Sequence, residues 1–179
     1  ALDSFQLISN SDAHSPAKLG REASLFDIPM SYAGLYGAIQ RGEGLKGTIE
    51  FFPEEGKYHF DGHRKCHLCL SPSQARKYNG ICPVCGRKLT TGVLHRIEQL
   101  ADRGEDFLLP QGRPFENLVP LGEVIASSVG SSPSSVKVSR QYEHLLEELG
   151  NEFYILRQAP LEDISHAAGS LTAEGIRHL

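Results

Sequence analysis

Four cysteines govern what this chain can fold into. They stand in two knuckles, Cys66-His67-Leu68-Cys69 and Cys82-Pro83-Val84-Cys85, each spaced C-x2-C and separated by twelve residues. Each knuckle lets two thiolates reach one ion through a tight turn. Two knuckles close a tetrahedral shell of four sulfurs, the geometry zinc takes in structural sites. All the cysteine of the 179-residue chain is spent here. The minimal reading is a staple, a zinc ribbon that holds a segment too small to build its own core. Two others compete with it. Cys-Pro-Val-Cys-Gly is also a rubredoxin-like iron knuckle, and four thiols could instead form two disulfides in an oxidising compartment. The metal-ligand spacing and the lack of a basic-then-apolar leader favour one structural Zn2+ and a cytoplasmic chain.

Charge says what such a ribbon would present. Lys57, Arg64, Lys65, Arg76, Lys77, Arg87, Lys88 and Arg96 are opposed between residues 57 and 96 only by Asp61, a formal +7. The whole chain is −4, so the remainder carries −11. A basic island in an acidic chain is the footprint of a phosphate-backbone contact. His59, His63, His67 and His95 could add donors, and Tyr58, Phe60 and Tyr78 could stack on bases. The bland reading is that a small ribbon exposes many charges because it has little core. With four thiolates available, His59 and His63 are expected to face DNA or solvent, and Asp61-Gly62 to make a hairpin turn. Hydrophobic residues make up 40% of the chain, and no apolar run reaches the roughly 20 residues that span a bilayer. Gly-rich phosphate loops and a serine nucleophile elbow are both missing.

A second chemical signal lies near the start. Phe5-Gln6-Leu7-Ile8 reads as a buried strand, followed by Ser11-Asp12-Ala13-His14. At a strand end or in an extended loop, Asp12 and His14 would point to one side. A carboxylate and an imidazole there form half of a metal site, and strand C-terminal ends are where barrel enzymes keep their chemistry. By itself D-x-H is weak, since Asp12 could simply turn the chain.

Ser9-Asn10-Ser11-Asp12-Ala13-His14-Ser15-Pro16, then Leu19-Gly20-Arg21-Glu22, resembles the last metal-binding motif of the PHP (polymerase and histidinol phosphatase) phosphoesterases. Gly47 to His59, Asp61-Gly62-His63-Arg64-Lys65, the knuckles, and Gly92 to Arg103 narrow this: together they resemble the endonuclease Q family, firmest from Ile8 to about Pro120. The resemblance implies a DNA repair nuclease that cuts 5′ of deaminated bases or abasic sites. It also implies two or three divalent metals (Mg2+, Mn2+ or Zn2+), with Asp12 and His14 as two of their ligands. The family's earlier ligands, an N-terminal His-x-His among them, match nothing here, so the fragment alone is expected to be inactive. Arg21 and Glu22 would contact phosphate, order the ligands, or form a surface ion pair. The alternative function is a non-catalytic zinc-ribbon module that binds nucleic acid.

The expected fold class is α+β: the end of a PHP-type β/α barrel over 1–45, a four-cysteine zinc ribbon with a following helix over 46–103, and a helical region over 104–179. Leu25 to Pro29 reads as an apolar turn. Ser31 could cap a helix whose Tyr32, Leu35, Tyr36 and Ile39 form a core stripe. Strands are expected over Gly47–Pro53, Tyr58–Arg64 and Gly86–Thr91, and helices over Pro72–Tyr78 and around Leu94, Ile97 and Leu100. Further on, Phe115 to Leu121 is extended. Leu121–Val129, Ser135–Leu149, Leu161–Ala168 and Ala173–Leu179 read as helices. From Ile97 onward six bases face thirteen acids, a poor DNA surface apart from Lys137 and Arg140 at a helix start.

Overall fold

The computed structural model describes residues 3–56, 58–104, 106–110 and 112–178; Lys57, one of the expected DNA contacts, lies outside them. The architecture is α+β. In chain order the elements begin with β1 (Ala23–Phe26), α1 (Tyr32–Arg41), β2 (Leu45–Glu50), β3 (Asp61–His63), β4 (Leu68–Leu70), α2 (Pro72–Lys77) and α3 (Val93–Leu100). They continue with β5 (Phe115–Asn117), α4 (Leu121–Ser128), α5 (Val136–Leu149), α6 (Glu152–Arg157), α7 (Leu161–Ala168) and α8 (Ser170–Arg177). Two compact units result: residues 52–112, and residues 2–51 together with 113–179. No helix among the described residues is long and apolar enough to cross a membrane.

The larger unit contains a three-stranded sheet in the order β1-β2-β5. β1 runs antiparallel to β2, with Ser24 opposite Thr48 and Ala23 opposite Ile49, and β5 runs parallel to β2, with Glu50 opposite Asn117. Leu45, Gly47 and Ile49 face the core while Lys46, Thr48 and Glu50 face outward, the period-2 alternation of a strand with one buried face. Residues 52–112 therefore form an insertion in the β2-to-β5 connection. The strand expected over Gly47–Pro53 as the entry to the ribbon is β2, Leu45–Glu50, and it pairs with β1, whose last two residues Leu25 and Phe26 begin the stretch Leu25–Pro29 that reads from sequence as a turn.

Helix α1 starts as expected: Ser31 Oγ accepts the Gly34 N–H at 3.1 Å. It ends at Gly42, whose φ of 77° is left-handed and whose N–H bonds the Ala38 carbonyl. The expected core stripe is corrected. Tyr32, Leu35, Tyr36 and Ile39 are all exposed, with the two tyrosine rings stacked 6.2 Å apart, whereas the small residues Gly37 and Ala38 are buried. The Phe5–Ile8 run is also not a strand. It has no ladder partner, and Phe5 is 65% and Leu7 63% exposed.

The C-terminal helices close around one core of Leu121, Val124, Ile125, Val138, Leu145, Ile155, Ile164, Ala173 and Ile176. The inward stripe on α5 is the one its 3.6-residue period requires, with Tyr142, Leu146 and Leu149 packed partly buried beside Val138 and Leu145. Glu152 joins three helices: its Oε1 accepts the Leu121 N–H (2.7 Å) and its Oε2 the Tyr142 hydroxyl (2.8 Å). Burial, then this carboxylate, pushes the Tyr142 phenol up to about 12.

The 52–112 unit has a far smaller core. Leu70, Ala75, Cys82 and Leu89 are its buried members, with Cys66 and Leu68 packed against them. β3 and β4 form a hairpin, and α2 carries a full capping box between Ser71 and Gln74. The expected strand after the second knuckle is reduced to two isolated bridges, Ile81 with Lys88 and Gly62 with Thr90. So few buried side chains are a small core for a unit of this length.

Candidate metal centre and basic surface

The hairpin decides which side chains can share an ion. Asp61 lies opposite Leu70, Gly62 opposite Cys69, and His63 opposite Leu68. Paired residues share a face and neighbours alternate, so Cys69 points away from the side that His63 occupies. The 3-10 turn Arg64–Cys66 then returns Cys66 beside His63. The second knuckle completes the group, its Gly86 N–H closing the turn on the Cys82 carbonyl at 2.9 Å.

One ligand atom each from His63, Cys66, Cys82 and Cys85 lies within 4.8 Å of all the others. His63 Nδ1 is 3.1 Å from Cys66 Sγ and 3.4 Å from Cys85 Sγ. Zinc bonds of about 2.0–2.3 Å in a tetrahedral shell place their ligand atoms about 3.4–3.8 Å apart, so one ion fits among these four. The set differs from the four cysteines that the spacing picks out: Cys69 is exposed and outside the group, and His63 takes its place. The sequence did hold a signal for this, because His63-Arg64-Lys65-Cys66 has the same x2 spacing as a cysteine knuckle.

Without an ion the sulfurs compete for protons. Burial, and then the Cys85 and Cys82 sulfurs, push the Cys66 thiol up to about 11. Burial works the same way on Cys82, but the backbone N–H groups of Cys85 and Val84, together with hydrogen bonds from the Cys85 and Cys66 thiols, outweigh it and hold that thiol below its ordinary value. Such amides, aimed at sulfur, stabilise thiolates and so favour a bound cation.

Asp61 makes no turn. It is 2% exposed; its Oδ1 accepts the Gly92 N–H at 2.6 Å and its Oδ2 bonds His95 Nδ1 at 2.5 Å. These bonds fasten the start of α3 to a residue two positions from His63. Gly92 is required there, since a Cβ would collide with the Phe60 carbonyl. His95 is thus turned into the unit by one nitrogen, and His59 packs edge-on against Phe60 at 4.5 Å. Arg64, Lys65, Arg76, Lys77, Arg87, Lys88 and Arg96 are exposed on this unit, as are Tyr58 and Tyr78. Arg76 is partly neutralised by Glu98 at 2.9 Å, and Arg96 donates to Gln99 Oε1 at 3.2 Å.

In the other unit, Asp12 and His14 lie on an irregular segment at the surface, Asp12 with a left-handed φ of 46°. His14 Nδ1 is 2.8 Å from the Asp12 carbonyl. A carbonyl only accepts, so Nδ1 carries the proton and Nε2 keeps the lone pair a metal needs. A carboxylate and an imidazole nitrogen are both donor types that divalent ions accept. Arg21 rests its guanidinium over the Phe51 ring, 5.9 Å from the centroid.

Comparison with known proteins places this geometry in context. Residues 120–179 match the family model described as the MJ0043 C-terminal domain. The chain is 34% identical over 176 residues to protein MJ0043 of Methanocaldococcus jannaschii, covering 92% of this chain and 22% of that protein. It is 26% identical over 176 residues to protein YqxK of Bacillus subtilis, covering 96% and 41%. Its fold superposes on the lesion-specific endonuclease PfuEndoQ of Pyrococcus furiosus with a TM-score of 0.85 at 31% identity, over 98% of this chain and 44% of that one. A second solved structure, endonuclease Q in complex with a 27-mer duplex substrate carrying an abasic lesion at the active site, gives 0.82 at 30% identity, over 98% and 45%. The chain therefore spans less than half the length of each of these relatives.

Proposed function

We propose that this endonuclease Q-like chain is the C-terminal portion of a metal-dependent DNA repair endonuclease that hydrolyses a phosphodiester 5′ of a deaminated base or abasic site. The observation that carries the reading is the match of nearly the whole chain, in fold and at about a third sequence identity, to a lesion-specific endonuclease. The solved duplex complex of endonuclease Q supports damaged DNA as the partner.

Each part of the chain has a role in this reading. His63, Cys66, Cys82 and Cys85 hold one structural Zn2+, which orders a segment whose own core is only a few residues. Arg64, Lys65, Arg76, Lys77, Arg87, Lys88 and Arg96 then face the phosphate backbone, with Lys57 as a further candidate. Asp12 and His14 Nε2 supply two ligands to a cluster of Mg2+, Mn2+ or Zn2+. When bound, those ions would polarise the phosphate and activate water. The remaining ligands come from a preceding PHP-type barrel portion, of which residues 1–45 form the end. The exposed apolar faces at Phe5, Leu7, Tyr32 and Tyr36 suit a chain that packs on such a portion. The C-terminal helices are acidic and serve as scaffold. Cysteines spent on metal ligation rather than on disulfides suit the cytoplasm.

The test uses the complete protein with Mn2+ and a lesion-bearing duplex. Asp12→Ala or His14→Ala should lower cleavage by about a thousandfold, the several kcal/mol a catalytic metal contributes, while duplex affinity stays within about twofold. Unchanged cleavage in both variants would show that this portion supplies no catalytic ligand, leaving it the role of a non-catalytic zinc-ribbon module that binds nucleic acid.

A further inference from the structure

The segment that carries Asp12 and His14 has no strand partner among the described residues, yet it is fixed ahead of them at Ser9. Ser9 uses all three of its polar groups. Its N–H donates to Ser24 Oγ at 2.9 Å, and the same Ser24 hydroxyl donates back to the Ser9 carbonyl at 2.9 Å. Its own hydroxyl donates to Glu50 Oε2 at 2.9 Å. Ser24 and Glu50 belong to one surface: Ser24 lies opposite Thr48 in the β1–β2 ladder, and Glu50 is two residues beyond Thr48 on the same strand face. Glu50 is in turn held by the parallel pairing with β5, where its carbonyl accepts the Leu118 N–H at 2.9 Å.

We propose that Glu50, with Ser24, is a positioning residue for the Asp12–His14 metal half-site. The carboxylate acts through Ser9 and not on the metal; its Oε2 accepts the Ser9 hydroxyl at 2.9 Å. Ser9 is three residues from Asp12, a reach of at most about 10 Å of chain. The next fixed point is the 3-10 turn Pro16–Lys18, where the Lys18 N–H bonds the Ser15 carbonyl. Asp12 and His14 thus hang between two anchors. A carboxylate acceptor on a rigid strand makes the first of these a charge-assisted bond, stronger than a neutral one. Ligands held this way bind metal without first ordering their loop, which is how outer groups tune a metal site.

This proposal rests on the reading of Asp12 and His14 as ligands, and its test separates the two. Mn2+ binding to the complete protein, with its structural zinc in place, is measured by isothermal titration calorimetry in the wild type and in Glu50→Ala, Ser9→Ala, Glu50→Gln and Asp12→Ala. Glu50→Ala and Ser9→Ala should each weaken Mn2+ about tenfold or more, with duplex affinity unchanged. Glu50→Gln keeps an acceptor for the Ser9 hydroxyl and should stay within about threefold of wild type. Ser9→Ala removes one exposed-segment hydroxyl, so it carries the test even if Glu50→Ala fails to fold. Wild-type Mn2+ affinity in Ser9→Ala and Glu50→Ala, beside a loss in Asp12→Ala, overturns the positioning role and leaves the ligand reading standing. Wild-type affinity in Asp12→Ala overturns the ligand reading itself, and the positioning role with it.

Discussion

Register in a short hairpin sets which side chains stand together at the candidate metal site. Gly62 pairs with Cys69, so Cys69 shares the glycine's face and His63 takes the other. The four sulfurs are conspicuous in the sequence; that Cys69 turns away depends on a ladder only three residues long, and the x2 spacing of His63 and Cys66 is the one local hint of the exchange. The account predicts that Cys69→Ser keeps about one zinc per chain and binds it as tightly as wild type. His63→Ala should lose zinc to a chelator at least about a hundredfold more readily, because one of four bonds is gone. Elemental analysis after graded chelator exposure checks both. Zinc retention in His63→Ala with loss in Cys69→Ser would restore the all-sulfur shell.

At the level of elements, helices were easier to read than strands, and the reason is physical. Ser31, Ser71 and Ser135 cap the helices they precede, and Val138, Leu145 and Leu149 repeat at the helical period; these signals are local. Strands β3, β4 and β5 have three residues each, too few for alternation to show, and β1 is recognisable only once β2 lies beside it. Apolar stripes tell that a face seeks burial, not where its partner is, which is why Tyr32, Tyr36 and the Phe5–Ile8 run are exposed in this chain. Asp61 was hidden for a related reason. Asp-Gly is a common turn pair, but here the carboxylate is buried and ties α3 to the metal unit through Gly92 and His95. Asp61→Ala strands the buried Gly92 N–H and should cost about 2–3 kcal/mol, and Asp61→Asn, which keeps one acceptor, about half that. Urea unfolding of the zinc-loaded protein, followed through the 52–112 unit, measures this. A change below about 0.5 kcal/mol in Asp61→Ala would show that α3 is held by other contacts.

On the scale of the whole molecule, the chain places a basic, metal-fitted unit inside the connection of an otherwise acidic α+β unit that carries two ligand-type side chains. The division of charge was legible from the sequence, because eight bases against one acid in forty residues is visible without a fold. The anchoring of the Asp12–His14 segment was not, since Ser24 and Glu50 lie 15 and 41 residues from Ser9 and meet it only in three dimensions. The claim that joins the two units is lesion-directed strand cutting. The most direct measurement maps the cut at nucleotide resolution, using the complete protein, Mn2+, and an end-labelled duplex with a single abasic site. The account predicts one incision immediately 5′ of the lesion on the lesion strand, with the undamaged duplex left intact. Cutting that ignores the lesion, or no cutting by zinc-loaded protein that still binds the duplex, would contradict it.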